Sequence, residues 1–236
     1  MLSYMEKKSE TAPVELTAEE GEFKKLTRAT YNSGRVKEAY ELAEGFYRSH
    51  PESLFAKFYC GAMAGDYSDD VSLSAEKRGD LLALARTLIK EVYEDKRTPL
   101  CDFWDHVRNE YFWFHKLYAE QYALGVERVA AGTPRGYYSM CVGASAMAKQ
   151  CLEANAPAAA KEWAEKSVSA FQEFEKLDPD WYNINHFYAY ALAVLGEYDA
   201  ALKAYRDMYR KQKAAVNEKE EAAFLDNVEK IKKMRG

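Results

Sequence analysis

Four histidines, at positions 50, 106, 115 and 186, are the chain's whole supply of imidazole. Asp102, His106 and Glu110 follow at intervals of four, so on a helix they share one face and can ligate a metal ion that activates water. The triplet lacks an HExxH pattern and a second histidine at matching spacing, which makes a metal-dependent hydrolase the lesser reading. An i,i+4 hydrogen bond is the ordinary one. Serine, cysteine and lysine form no nucleophile motif, and neither GxGxxG nor a Walker-type glycine loop occurs. Gly132-Thr133-Pro134-Arg135-Gly136 can offer a phosphate the N-terminus of the helix after it, but with one arginine it reads first as a hinge. Cys60, Cys101, Cys141 and Cys151 contain no CxxC pair and lie in helix-like stretches, which predicts buried free thiols rather than zinc ligands or disulfides. The chemistry-bearing residues predict a protein that is not an enzyme and holds no metal or other cofactor.

The elements that must carry these residues are helices. Apolar residues are 48% of the 236 and charged residues 30%, with 12 Gly and 6 Pro, so the chain buries a core and is neither disordered nor a Gly/Pro-rich β design. A net charge of −5 without a Lys/Arg block argues against nucleic acid as partner. No run of about 18 uncharged apolar residues occurs and the opening residues hold no apolar leader, which predicts no membrane span and a cytoplasmic setting, a trimmed exported or lipid-anchored domain being the alternative.

Residues 1–16 are polar and read as a flexible arm. Thr17-Ala18-Glu19-Glu20 is a capping box that starts a helix. From there the apolar residues recur at three and four, as in Leu81, Leu84, Ala85, Leu88 and Val92. The breaks at Asn32-Ser33-Gly34, His50-Pro51, Gly65 to Asp70, Thr98-Pro99, Gly132 to Gly136, Asn155-Ala156-Pro157 and Asp178-Pro179 divide the chain into about nine helices. Leu100 to Leu124, with Phe103, Trp104, Tyr111, Phe112, Trp113, Phe114, Tyr118 and Tyr122, is expected to be buried on most sides. Gly143, Ala144, Ala146 and Ala148 predict a helix approached closely by its neighbours. The charged stretch 217–234, with the thin stripe Phe224, Leu225, Val228 and Ile231, reads as a capping helix.

Two stretches have a shared wording. Leu192 to Tyr205 places Gly196 at a turn, Tyr198 after it and Ala201 at a packing position, with Pro179 standing 17 residues before Gly196. Gly34, Val36, Ala39 and Pro51 repeat the pattern, again 17 residues from Gly34 to Pro51, and Gly61 falls where the helix after Pro51 should carry its small residue. This grammar resembles the tetratricopeptide repeat over residues 17–66 and 157–213; residues 68–136 depart from it. The resemblance implies an all-α fold, an α-α superhelix of antiparallel hairpins over one domain, 17–236, with an atypical centre. Its first helices would line a concave groove that binds a peptide or protein segment, with no catalysis.

On that reading the groove positions are Lys24, Arg28 and Tyr31, which share a helix face, then Phe55 and Phe58 with Ala62, then Tyr137 and Met140 with Ala144 and Met147, and finally Asn183, His186 and Tyr190. Lys24 with Arg28 resembles the family's carboxylate clamp but lacks its polar partner on the next helix. Aromatic, methionine and asparagine side chains suit an adaptable peptide groove; core packing is the competing reading at each position. The second functional class is a small-molecule or transport-associated receptor using the central aromatic helices. Exposed array ends also offer a surface for self-association into a homo-oligomer.

Overall fold

The helix expected at Thr17 begins there. The Thr17 hydroxyl oxygen accepts the Glu20 N–H at 3.2 Å and the Glu20 carboxylate accepts the Thr17 N–H at 2.8 Å, satisfying two amides that a helix start leaves open. The same carboxylate accepts the Ser53 hydroxyl, tying two helix starts together. In the computed structural model, which describes residues 14–101, 103–212 and 215–235, the chain is all-α. Eleven helices follow in order among the described residues: α1 (Ala18–Asn32), α2 (Val36–Ser49), α3 (Leu54–Ser68), α4 (Ala75–Glu94), α5 (Trp104–Phe114), α6 (Tyr118–Ala130), α7 (Gly136–Glu153), α8 (Pro157–Leu177), α9 (Ile184–Leu195), α10 (Tyr198–Gln212) and α11 (Glu218–Arg235). Among them, none is long and apolar enough to cross a membrane.

The count exceeds nine because the aromatic stretch is not one helix. A 3-10 turn at Thr98–Leu100 precedes it, and Lys116, with φ of 58°, breaks it between α5 and α6. Gly65, expected in a turn, is instead inside α3. The ring of Phe114 occupies the space where a Cβ on Gly65 would stand, so this glycine serves close packing rather than chain reversal. Gly34 and Gly196 do make the tight turns, with φ of 79° and 90°, and Ala39 and Ala201 after them are fully buried.

Where the sequence reads as one array from residue 17, the structure forms two compact units, one ending at Phe114 and one beginning at His115. The first packs α1 to α5 around Phe23, Tyr40, Phe55, Phe58, Leu81, Ile89, Val107 and Phe114. Val14 donates its N–H to the Leu100 carbonyl at 3.2 Å, and Val14 and Leu16 lie against this core. The arm is therefore held from Val14 onward; residues 1–13 lie outside the described residues. The second unit packs α6 to α11 around Leu152, Phe171, Phe174, Ile184, Leu192, Tyr205, Phe224 and Ile231. Full burial of such side chains stabilises by roughly 1.5–3 kcal/mol each, whereas surface ion pairs such as Lys25–Glu22 contribute about 0–1 kcal/mol. The cores hold the units.

Candidate functional site

The second unit's first two helices are locked by backbone contact. A Cβ on Gly125 would stand 2.6 Å from the Gly136 carbonyl oxygen, and one on Gly143 would stand 2.7 Å from the Tyr118 carbonyl oxygen and 2.8 Å from the Tyr122 nitrogen. Only glycines let α6 and α7 approach so closely, as the small residues of α7 predict. Asn155 then closes α7 in the left-handed region at φ of 55°, with N–H bonds from Asn155 to Leu152 and from Ala156 to Cys151, and Pro157 opens α8 at a position that needs no N–H. Ser167 pins α8 to α7 by donating to the Cys141 carbonyl at 2.9 Å.

α8 divides cleanly by face. Ala160, Ala164, Ser167, Ala170, Phe171 and Phe174 turn inward. Glu162, Lys166, Ser169 and Glu173 share the opposite spacing of three and four and are exposed. With Glu165, Ala170, Tyr122 of α6 and Tyr137 and Met140 of α7 they line an open groove of about 400 Å³. Tyr122, Tyr137 and Met140 are half-buried there, their bodies packed and one surface accessible. Tyr122 meets Trp163 edge to face, with centroids 5.2 Å apart and planes at 85°. Over this pair lies the Lys166 ammonium, 4.2 Å from the Trp163 centroid and 5.9 Å from that of Tyr122, a geometry in which the ring quadrupoles attract a cation.

Of the sequence-predicted groove residues, Tyr137 and Met140 are brought together in this groove. Ala144 is fully buried beneath it and Met147 is half-buried. Phe55 and Phe58 are corrected to core residues, 2% and 7% exposed, packed on Phe103 at 5.7 and 5.6 Å. The reason is that α3 is apolar on nearly all sides and sits between α2 and α4. Lys24 stands 5.9 Å from the Phe55 ring centroid and Arg28 is exposed. Tyr31 donates its hydroxyl to Asp66.

The inner face of α9 is covered as well. Tyr190 accepts the Asn227 side-chain N–H at 3.0 Å and meets the Phe224 ring at 5.4 Å, both on α11. The helix expected to cap the array therefore lies over the position expected to face a ligand. His186 is enclosed by Phe187, Tyr190 and Tyr205. Loss of hydration, with the Lys149 charge, pushes its imidazole down to about 4. Asn183 is half-buried at the start of α9 and its side chain makes no cap bond.

Asp102 lies outside the described residues; His106 is exposed and Glu110 half-buried, and among the described residues no group of three or more His, Cys, Asp and Glu is arranged to hold a metal. Arg135 is engaged by Asp178 at 3.4 Å and stacks on Trp181 at 5.0 Å. The four cysteines are free, Cys60, Cys101 and Cys141 buried and Cys151 half-buried; burial pushes the Cys60 and Cys141 thiols up to about 12, far from thiolate reactivity. The aromatic centre is stacked on itself, Tyr93 on Tyr111 at 3.8 Å and on Trp104 at 5.4 Å. Loss of hydration within the surrounding protein, with repulsion from Glu110 and Asp69, pushes the Asp66 carboxyl up to about 8, and loss of hydration raises Glu110 to about 7.

Sequence reasoning missed the α8 side of the groove: Glu162, Glu165, Lys166, Ser169 and Glu173. The signal was present in the polar face repeating at 162, 166, 169 and 173, but a charged face on an outer helix reads as solvated surface. Compared with protein-family models, curated proteins and solved structures, the chain finds no match in any of the three.

Proposed function

We propose that the chain is a non-enzymatic docking module, an adaptor of tetratricopeptide-like hairpins whose α6–α8 groove holds a segment of another protein. One observation carries this reading: Tyr122, Tyr137 and Met140, large side chains suited to an interface, are left half-accessible on helices held rigid by glycine-mediated contact. A preformed site spends little ordering entropy on the receptor side when the partner arrives. The turn glycines Gly34 and Gly196 and the buried alanines Ala39 and Ala201 support the resemblance on which the docking role rests. The test is affinity capture from source lysate by the wild type and by a Tyr137→Ala, Met140→Ala variant of equal thermal stability, read by quantitative mass spectrometry. A partner retained by the first and depleted at least fivefold on the second is the expected result; equal retention of every protein by both removes the groove from the function.

A further inference from the structure

Taking the groove as a docking site for a protein segment, we infer that its ligand is an extended, basic segment in which Lys or Arg side chains flank an apolar or aromatic residue. This rests on the function proposed above and adds the chemistry of the partner.

The charge of the groove favours a basic partner. Three carboxylates, Glu162, Glu165 and Glu173, line the groove against one ammonium, Lys166. Their local partners leave them available. Glu165 faces Lys161 only at 3.9 Å, both side chains more than half exposed, and Glu173 pairs with an exposed Lys176 at 2.6 Å. Such pairs are worth little in water and exchange readily for a partner's cation. Glu162 makes no ion pair among the described residues. A phosphate-bearing or acidic ligand meets repulsion here, whereas a cationic one adds counter-charge, above all at Glu162.

Lys166 places its ammonium on the perpendicular Tyr122–Trp163 pair, so the groove already displays, within its own chain, how it accommodates a cation. A lysine or arginine of the partner can take that aromatic platform while Lys166 swings outward to solvent, and a guanidinium suits it best because it is weakly hydrated and planar.

Dimensions fix the form of the ligand. From Glu162 to Glu173 is 11 residues of α8, about 16 Å of helix and the length of about five residues of extended chain. Glu162 and Glu165 stand beside the Tyr122–Trp163 pair at one end. The start of α7, where Tyr138 meets Phe174 at 6.0 Å, brings Tyr137 and Met140 toward Glu173 at the other. Each end of the groove thus sets carboxylate beside aromatic or apolar surface, and a strand-like segment with basic residues about four apart and an apolar residue between them spans the two.

The experiment is selection of a random dodecapeptide display library on the full chain, repeated on Glu162→Gln, Glu165→Gln, Glu173→Gln and on Tyr137→Ala, Met140→Ala, each matched to wild type in helicity and melting temperature. The expected result is wild-type peptides enriched in Arg or Lys beside an apolar residue. The best of them, labelled and titrated, should bind about tenfold more weakly to the triple Gln variant and more weakly in high salt, and a few-fold more tightly to Lys166→Ala. Peptides that lose binding on Tyr137→Ala, Met140→Ala but carry no basic enrichment, or bind the triple Gln variant undiminished, overturn the basic-segment inference and leave the groove standing. Peptides indifferent to both variants overturn the inference and the groove assignment together.

Discussion

At the scale of single residues the two units respond to pH in opposite senses. Asp66 rises from an ordinary 3.8 to about 8 and Glu110 from 4.5 to about 7, so between those limits the folded first unit holds protons that the unfolded chain has released. Stability falls as pH rises through that window. Asp66→Asn is expected to raise the protection of α3 amides at pH 8 and leave it nearly unchanged at pH 4, as read by hydrogen exchange. His186 moves the other way, from 6.5 to about 4; the second unit carries the neutral imidazole and loses stability as pH falls below the unfolded value toward the folded one. NMR titration is expected to show the His186 ring neutral at pH 5.5, and a midpoint near 6.5 contradicts its enclosure. Phe55 and Phe58 show what single residues conceal. Their spacing is equally good for a groove wall and for a core, and only the position of α3 between α2 and α4 decides for the core.

At the scale of elements stability depends on how helices meet. Gly143→Ala puts a Cβ against the Tyr118 and Tyr122 backbone, which cannot rotate away, so α6 must shift; a loss of about 1–3 kcal/mol is expected in urea unfolding. Gly79→Ala, in α4 with no atom within 4 Å of the added methyl, is expected to stabilise by about 0.5–1 kcal/mol. Together the pair separates packing from propensity. α11 hangs on Phe224, 2% exposed and stacked on Tyr205 at 4.2 Å, aided by the Arg206–Glu221 fork at 2.7 and 2.8 Å. Phe224→Ala is expected to cost about 3–5 kcal/mol and to make α11 the first site of limited proteolysis; unchanged protease resistance contradicts the anchoring role. The elements were largely legible: the Thr17 capping box, the turn at Gly196 and the stripe of α11 all have local causes. The split of the aromatic stretch was not, because the left-handed Lys116 carries no side-chain signature, and Gly65 was misread because a glycine required by a distant ring looks like one required by a turn.

At the scale of the whole molecule, composition and period were enough for an all-α chain, but the division at Phe114 and His115 depends on contacts far apart in sequence. The docking groove falls in the second unit, and half of it was legible. Tyr137 and Met140 stood out as apolar residues on one face, whereas the acidic wall of α8 looked like ordinary surface until α7 was placed beside it. The terminal helix likewise removed Tyr190 from contention by lying over α9, a fold-back that its thin apolar stripe is consistent with but does not specify.

The most direct measurement of the central claim is site-specific photo-crosslinking in the source cell, with a benzoyl-phenylalanine probe at Ser169 inside the groove and, as a control, at Lys230 on the exposed side of α11. The expected result is a discrete protein adduct from position 169 that disappears in the Tyr137→Ala, Met140→Ala background while the melting temperature stays unchanged, and no such adduct from position 230. Adducts of equal yield from both positions, or a 169 adduct untouched by the double substitution, contradict it.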